Sequence, residues 1–378
     1  MKRRALIGSI GIGITSSSGC LRLQSEDETE TEGQIATESE VTLSESASVD
    51  QPIYKIWEYD GSFMTNSNAG AAHIPLGGEP LWDYEKPAEN EHNAVNAFAS
   101  TQQITIFGFT GDPNAEPPAS EAGAQFYGLD FGSEQWVTEF PSDGNHRSAA
   151  CVAIASDIAV LGASDFGESE SPLLYGVDVE SGDQIWTIES AALPGDFISG
   201  ALRYDEDVYV FQPNGTVRIN PQTGSITSNL KVGVGNIGAP NRFADTIYYY
   251  SLAGVQSYSL AEESVNWTLG SIDRPSIQPI VDNTLVVCGT RSGELYVVNR
   301  STGETVWSTE IQNSIYHIAL TPDYVFLTDR QTGLYGYNRS SGEQVHSSTR
   351  QIGGSDIAYL NSHLLVGGEQ TIYTLNRG

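Results

Sequence analysis

Ten residues after each of Trp82, Trp136 and Trp186 the sequence places His92, His146 and Asp196. Two imidazoles and a carboxylate held together form a donor set for a transition metal such as zinc or copper. The competing reading is plainer: three polar side chains on solvated loops. The rest of the reactive inventory is thin. The three cysteines (Cys20, Cys151, Cys288) are never adjacent, and no Cys-x-x-Cys-His, Gly-rich phosphate loop, nucleophile elbow or His-Glu-x-x-His occurs. Cys151 and Cys288 read as small buried residues. The reading is therefore not an enzyme, with no cofactor.

The tryptophans that mark these offsets recur for a structural reason. Five of the six (Trp82, Trp136, Trp186, Trp267, Trp307) close one motif: an apolar-x-apolar run, a Ser/Thr-Gly type of turn, a few residues, then Trp. Ser228 and His346 stand at the same place in two more copies, and the seven positions are spaced by 54, 50, 42, 39, 40 and 39 residues. Each interval also carries a two-strand stretch, such as PSIQPIVDNTLVVCG at 275–289. Four short strands per repeat of roughly 40 residues is a propeller blade. The sequence thus predicts an all-β chain, a β-propeller of four-stranded blades over residues 51–378. Seven closing positions predict seven blades, with an eighth in 51–81 left open. The indoles at 82, 136, 186, 267 and 307 are expected to fill the gaps between blades. At the C-terminus TIYTLNRG stops before its fourth strand, whereas EPLWDYE (79–85) looks like such a strand without a predecessor. Closure by pairing N- and C-terminal strands follows, which leaves no open edge.

LYVVNRSTGETVW and LYGVDVESGDQIW resemble the repeats of the pyrroloquinoline-quinone-like (PQQ-like) propeller family, and the resemblance spans about residues 52–378. IWEYDGSFMTNSNAG at 56–70 is similar to the lead-in before the first blade of archaeal members. Catalytic members imply a bound quinone, a calcium ion and typically a disulfide between adjacent cysteines; this chain departs from them at the cysteines. The resemblance to a non-catalytic member, the lipid-anchored assembly factor of bacterial outer membranes, implies instead a face used for docking. A quinone-binding redox enzyme or accessory subunit is the alternative, and polysaccharide or small-ligand binding at the channel mouth a third.

Charge narrows the partners. Asp+Glu total 48 against Lys+Arg 18, a formal net charge of −30, and only Lys2, Lys55, Lys86 and Lys231 are lysines. Acid spread along the whole chain resembles the style of salt-loving archaea, and so negative a surface excludes nucleic acid. A monomeric propeller with an unknown protein or cell-surface partner is expected.

The front end reads as an address. Residues 1–20 pair Arg3-Arg4 with a short apolar stretch and end in Ser-Gly-Cys. This has the layout of an export signal, in which Arg3-Arg4 looks like a twin-arginine signal. Ser-Gly-Cys resembles the end of a lipoprotein box with Cys20 as the point of lipid attachment. Ser17 stands where that box has Leu, and a plain signal peptide or an uncleaved anchor are the alternatives. Together with the repeats it resembles haloarchaeal exported lipoproteins, anchored at the outer surface of the cytoplasmic membrane. Residues 24–50 hold nine acids and no Lys, Arg or aromatic residue, so 21–50 is expected to be a disordered acidic tether.

Function is expected where the copying breaks. From Trp82, Trp136 and Trp186 the next repeat's second strand ends 26 residues on, at Gly108, Gly162 and Gln212; from Trp267 the same step to Gly289 takes 22. Inserted loops at 110–123 and 164–172 leave from the same face. His92, His146, Arg147, Asp165, Phe166, Asp196 and Phe197 are the expected binding residues there. Asn214, Asn299 and Asn338 begin glycosylation sequons.

Overall fold

The apolar runs sort by position within each repeat. Leu285–Gly289 is buried along its whole length. Asp207–Gln212 is buried at every position but the first. By contrast Thr305–Glu310 alternates largely between exposed and half-buried. A strand covered on both faces needs side chains that are apolar on both sides, while one at a sheet's outer margin needs only one such face. Second strands are therefore sandwiched and fourth strands are peripheral.

The computed structural model describes residues 41–48, 55–59, 62–66, 70–75, 81–85, 93–101, 103–110, 123–140, 147–165, 172–235, 238–270, 272–329, 333–348, 356–360, 363–367 and 371–377. These build eight four-stranded antiparallel sheets. Blades 1 to 7 take residues 55–85, 93–140, 147–189, 200–230, 241–269, 280–310 and 315–348. Blade 8 combines 357–377 with Val41–Ser48. First strands touch their neighbours: Arg147–Ala155 lies against Asn93–Ser100 and Gly200–Tyr204, and Ile357–Leu360 lies against both Ile315–Leu320 and Lys55–Tyr59. The last blade thus adjoins the first. Among the described residues no helix is long and apolar enough to cross a membrane.

Two expectations need correction. The described residues form eight sheets rather than the seven first expected, the eighth left open in 51–81 being blade 1 at 55–85. The count of tryptophan-type places falls one short because Thr374, at the place that faces Trp or its substitute in other blades, pairs with Ser44. And the strand that joins Thr371–Arg377 is not 79–85, since Trp82–Glu85 pairs with Gly70–Pro75 inside blade 1. Val41–Ser48 takes that place, in register from Val41↔Arg377 to Ser48↔Thr371. The end of the expected acidic tether is therefore a strand. Its alternation of apolar and polar residues finds a partner only at the far end of the chain.

Four tryptophans tie their blades to the next. Trp136 Nε1–H donates to Val179 O at 2.9 Å, Trp186 to Pro221 O at 2.6 Å, Trp267 to Arg300 O at 2.9 Å and Trp307 to Arg339 O at 2.8 Å. Each acceptor lies at the turn between the third and fourth strands of the following blade. The glycine of that turn packs against the indole with a left-handed backbone: Gly182, φ +73°, meets Trp136, and Gly303, φ +75°, meets Trp267. No Cβ fits between ring and turn, which is why a glycine recurs one blade ahead of each Trp, including Gly132 ahead of Trp82.

Candidate functional site

The topology defines two faces. Turns between first and second and between third and fourth strands lie on one, called lower here. Turns between second and third strands, and the connections from blade to blade, lie on the upper face.

The lower face is committed to turn chemistry. Asp178 Oδ1 accepts the N–H groups of Glu180 and Ser181, Asn220 Oδ1 those of Gln222 and Thr223, and Asn338 Oδ1 those of Ser340 and Ser341. The Asp178 carboxyl sits below its ordinary range, chiefly because of the Ser181 N–H bond. Asn299 makes the same turn, accepting from the N–H groups of Ser301 (3.0 Å) and Thr302 (3.1 Å). The repeated Asp/Asn is thus a turn cap, at Asn299 and Asn338 as at the others. Arg339 donates to Thr321 O within blade 7 and pairs across blades with Asp282 at 2.5 Å, and the Arg300 guanidinium lies 4.3 Å from the Phe243 ring centre of blade 5.

On the upper face the expected binding residues separate. His92, His146 and Phe166 lie outside the described residues. Arg147, expected as an exposed cation, is fully buried. It is the first residue of an inner strand, in register opposite Asp165, with the inner strands of blades 2 and 4 on either side. Asp165 ends the second strand of blade 3 instead of standing in a loop. Asp196 is exposed and Phe197 half-buried, both on the connection from blade 3 to blade 4. Cys151 and Cys288 are free and buried, and burial pushes both thiols up to about 12.

What the structure does assemble is a groove of about 700 Å³ between blades 4 and 5. Leu193 and Pro194 of the preceding connection, Pro213 and Asn214 of the blade 4 turn, Lys231 and Leu252 are among its lining residues. Leu252, at the tip of the Ser251-Leu252-Ala253-Gly254 turn, is fully exposed, and Lys231 is exposed beside it. The walls are held from behind. Gln212 Nε2 donates to Gly195 O, Thr216 Oγ1 to Val232 O at 2.7 Å, and the Val234 and Gly235 N–H groups to Gln212 O and Tyr250 O. Asn214 Nδ2 donates to Pro194 O at 3.3 Å across the groove. The arrangement offers an apolar rim, one ammonium group and a fixed backbone, which is equipment for recognition.

Reading the repeats placed the site between residues 82 and 212, a range that takes in Leu193 and Pro194 at one wall of this groove but not Lys231 or Leu252. One signal was present: at the turn place where blade 6 has Arg291, blade 5 has Leu252. An apolar residue at a turn tip has no local structural use.

Residues 255–377 match the family model described as outer membrane protein assembly factor BamB. The crystal structure of BamB from Moraxella catarrhalis is similar in fold, with a TM-score of 0.65 and 15% identity over 88% of this chain and 97% of that one. The computationally designed Ika8 protein gives a TM-score of 0.64 and 12% identity, covering 87% of this chain and 98% of its own. No curated protein matches the sequence. Together the matched repeats and the fold support a β-propeller of the PQQ-like type.

Proposed function

We propose that the chain is a non-catalytic binding scaffold, tethered to the outer surface of the cytoplasmic membrane through Cys20, whose upper face docks a protein or another cell-surface component. The observation that carries the reading is a polarity of the fold. Val41, the first described residue, pairs with Arg377 at the lower edge of blade 8, while the groove opens on the upper face. The chain leading back to Cys20 therefore leaves from the face opposite the groove, and a tether on that side leaves the groove pointing away from the membrane. The similarity to a protein described as an assembly factor favours the same role. On this reading the sequons at Asn214, Asn299 and Asn338 lie outside the cell, where glycan-sensitive mass spectrometry detects their occupancy.

Two measurements test it. Mass spectrometry of the membrane fraction should find Cys20 lipid-modified as the new N-terminus; an intact 1–20 segment or unmodified Cys20 overturns the anchor. An absorption spectrum of the purified native protein should lack a quinone band; a stoichiometric quinone chromophore overturns the non-catalytic role.

A further inference from the structure

Charge marks the groove out from the rest of the molecule. In a chain of net charge −30, none of the groove's lining residues is aspartate or glutamate, and one is Lys231, among four lysines in all. The next positions around the same face continue the pattern. Arg274, on the connection from blade 5 to blade 6, has 77% of its side chain exposed, and Arg291, at the blade 6 turn, is also exposed. The two are joined by a 2.8 Å hydrogen bond from Arg291 N–H to Arg274 O. Arg274 is held there with a left-handed backbone, φ +47°. Acids also stand on this face: Asp273, which faces Arg274 at 3.9 Å, Glu189 and Asp196 before the groove, and Glu294 and Glu310 of blade 6. Leu252 stands between Lys231 on one side and Arg274 and Arg291 on the other in order along this face.

We infer that the groove and the row beyond it receive an acidic, extended segment of a partner protein, with an apolar side chain seated between Leu252 and the Leu193-Pro194-Pro213 wall and carboxylates meeting Lys231, Arg274 and Arg291. The inference rests on the scaffold reading and adds the place and the chemistry of the partner. Each feature has a role on this account. A fully exposed leucine gains by being covered, roughly 25 cal/mol for each Å² removed from water. The three cations supply charge-assisted hydrogen bonds at contact distance, which act where salt has screened longer-range attraction. The missing lining carboxylates remove the repulsion that an acidic segment would meet elsewhere on this surface.

The test places the photo-crosslinking residue benzoyl-phenylalanine at position 252 of the full chain in living cells. The same residue at position 131, on the lower face, serves as the control. Crosslinked peptides are sequenced. The expected result is a crosslink from position 252 to a segment of another protein in which Asp or Glu flank an apolar residue, reduced at least 10-fold by Lys231→Glu/Arg291→Glu and absent from position 131. Crosslinks from position 252 to a segment without acids or to another copy of this chain overturn the inference and leave the scaffold reading standing, whereas crosslinks from position 131 alone overturn the inference and docking by the upper face together. No crosslink from either position overturns both.

Discussion

Removing one indole and the glycine beneath it gives a measure of how the blades are held together. Trp136 is 7% exposed, its Nε1–H reaches Val179 O at 2.9 Å, and a Cβ on Gly182 would lie 2.5 Å from its Cγ. An indole buries about 150–250 Å², about 4–6 kcal/mol gross by area. Core aromatic truncations lose about 3–5 kcal/mol, and that range is expected for Trp136→Ala. Trp136→Phe keeps most of the apolar contact but strands a buried carbonyl, for about 1–3 kcal/mol. Gly182→Ala carries two penalties: about 1–2 kcal/mol for the left-handed backbone, and about 1–3 kcal/mol for the collision with the ring. In a Trp136→Ala background the contacts with the ring at 2.5 and 2.6 Å are lost and only the one with the residue-136 Cβ at 2.7 Å remains, so much of the collision is relieved beside the backbone penalty. The double-mutant cycle should therefore show a coupling of about 1–3 kcal/mol between residues in different blades. Equilibrium denaturation followed by circular dichroism at fixed salt measures all four proteins. A cycle additive to within about 0.5 kcal/mol refutes the contact as the link between blades.

Three further outcomes follow from the same geometry. Burial raises the Asp282 carboxyl, but the bond from Arg339 and the N–H groups of Thr284 and Leu285 outweigh it and leave it lowered. A lowered carboxyl stabilises the fold above its unfolded value of about 3.9 and loses that contribution as pH falls through the folded value; Asp282→Asn should flatten the acid limb of a denaturation-midpoint profile, and an unchanged limb counts against the pair. At the junction of blades 7, 8 and 1, Asp356 meets His317 Nδ1 at 2.9 Å and accepts Ile56 N–H at 3.2 Å. Asp356→Ala should remove about 1–3 kcal/mol and speed hydrogen exchange at Ile56, and exchange as slow as in the parent would contradict the bridge. With both thiols buried and raised to about 12, Cys151 and Cys288 should take up a thiol reagent at pH 8 only on unfolding, and rapid labelling of native protein disproves their burial.

The repeat was legible because its cause is local. Turn, cap and docking residues sit within one motif, so Trp267 and Trp307, with Asn299 and Gly303 in the intervening turn, can be read from a single repeat length. Blade 8 was not legible because its strands come from opposite ends of the chain. Ser44 stands at the tryptophan place, and the run around it is acidic enough to read as unstructured. Arg147 misled for a related reason. A charge next to a loop reads as exposed until register and two neighbouring strands close over it.

The sequence by itself determined the blade: its strands, the glycine turn that admits an indole, and the acidic surface all follow from residue types at fixed spacing. Tertiary structure decided the number of blades, the strand that completes the last one, and the place of the groove. Leu193, Pro213, Lys231 and Leu252 belong to separate turns and connections, and no periodic signal links them. Only packing blade 4 against blade 5 brings an uncovered leucine and a rare lysine to one wall.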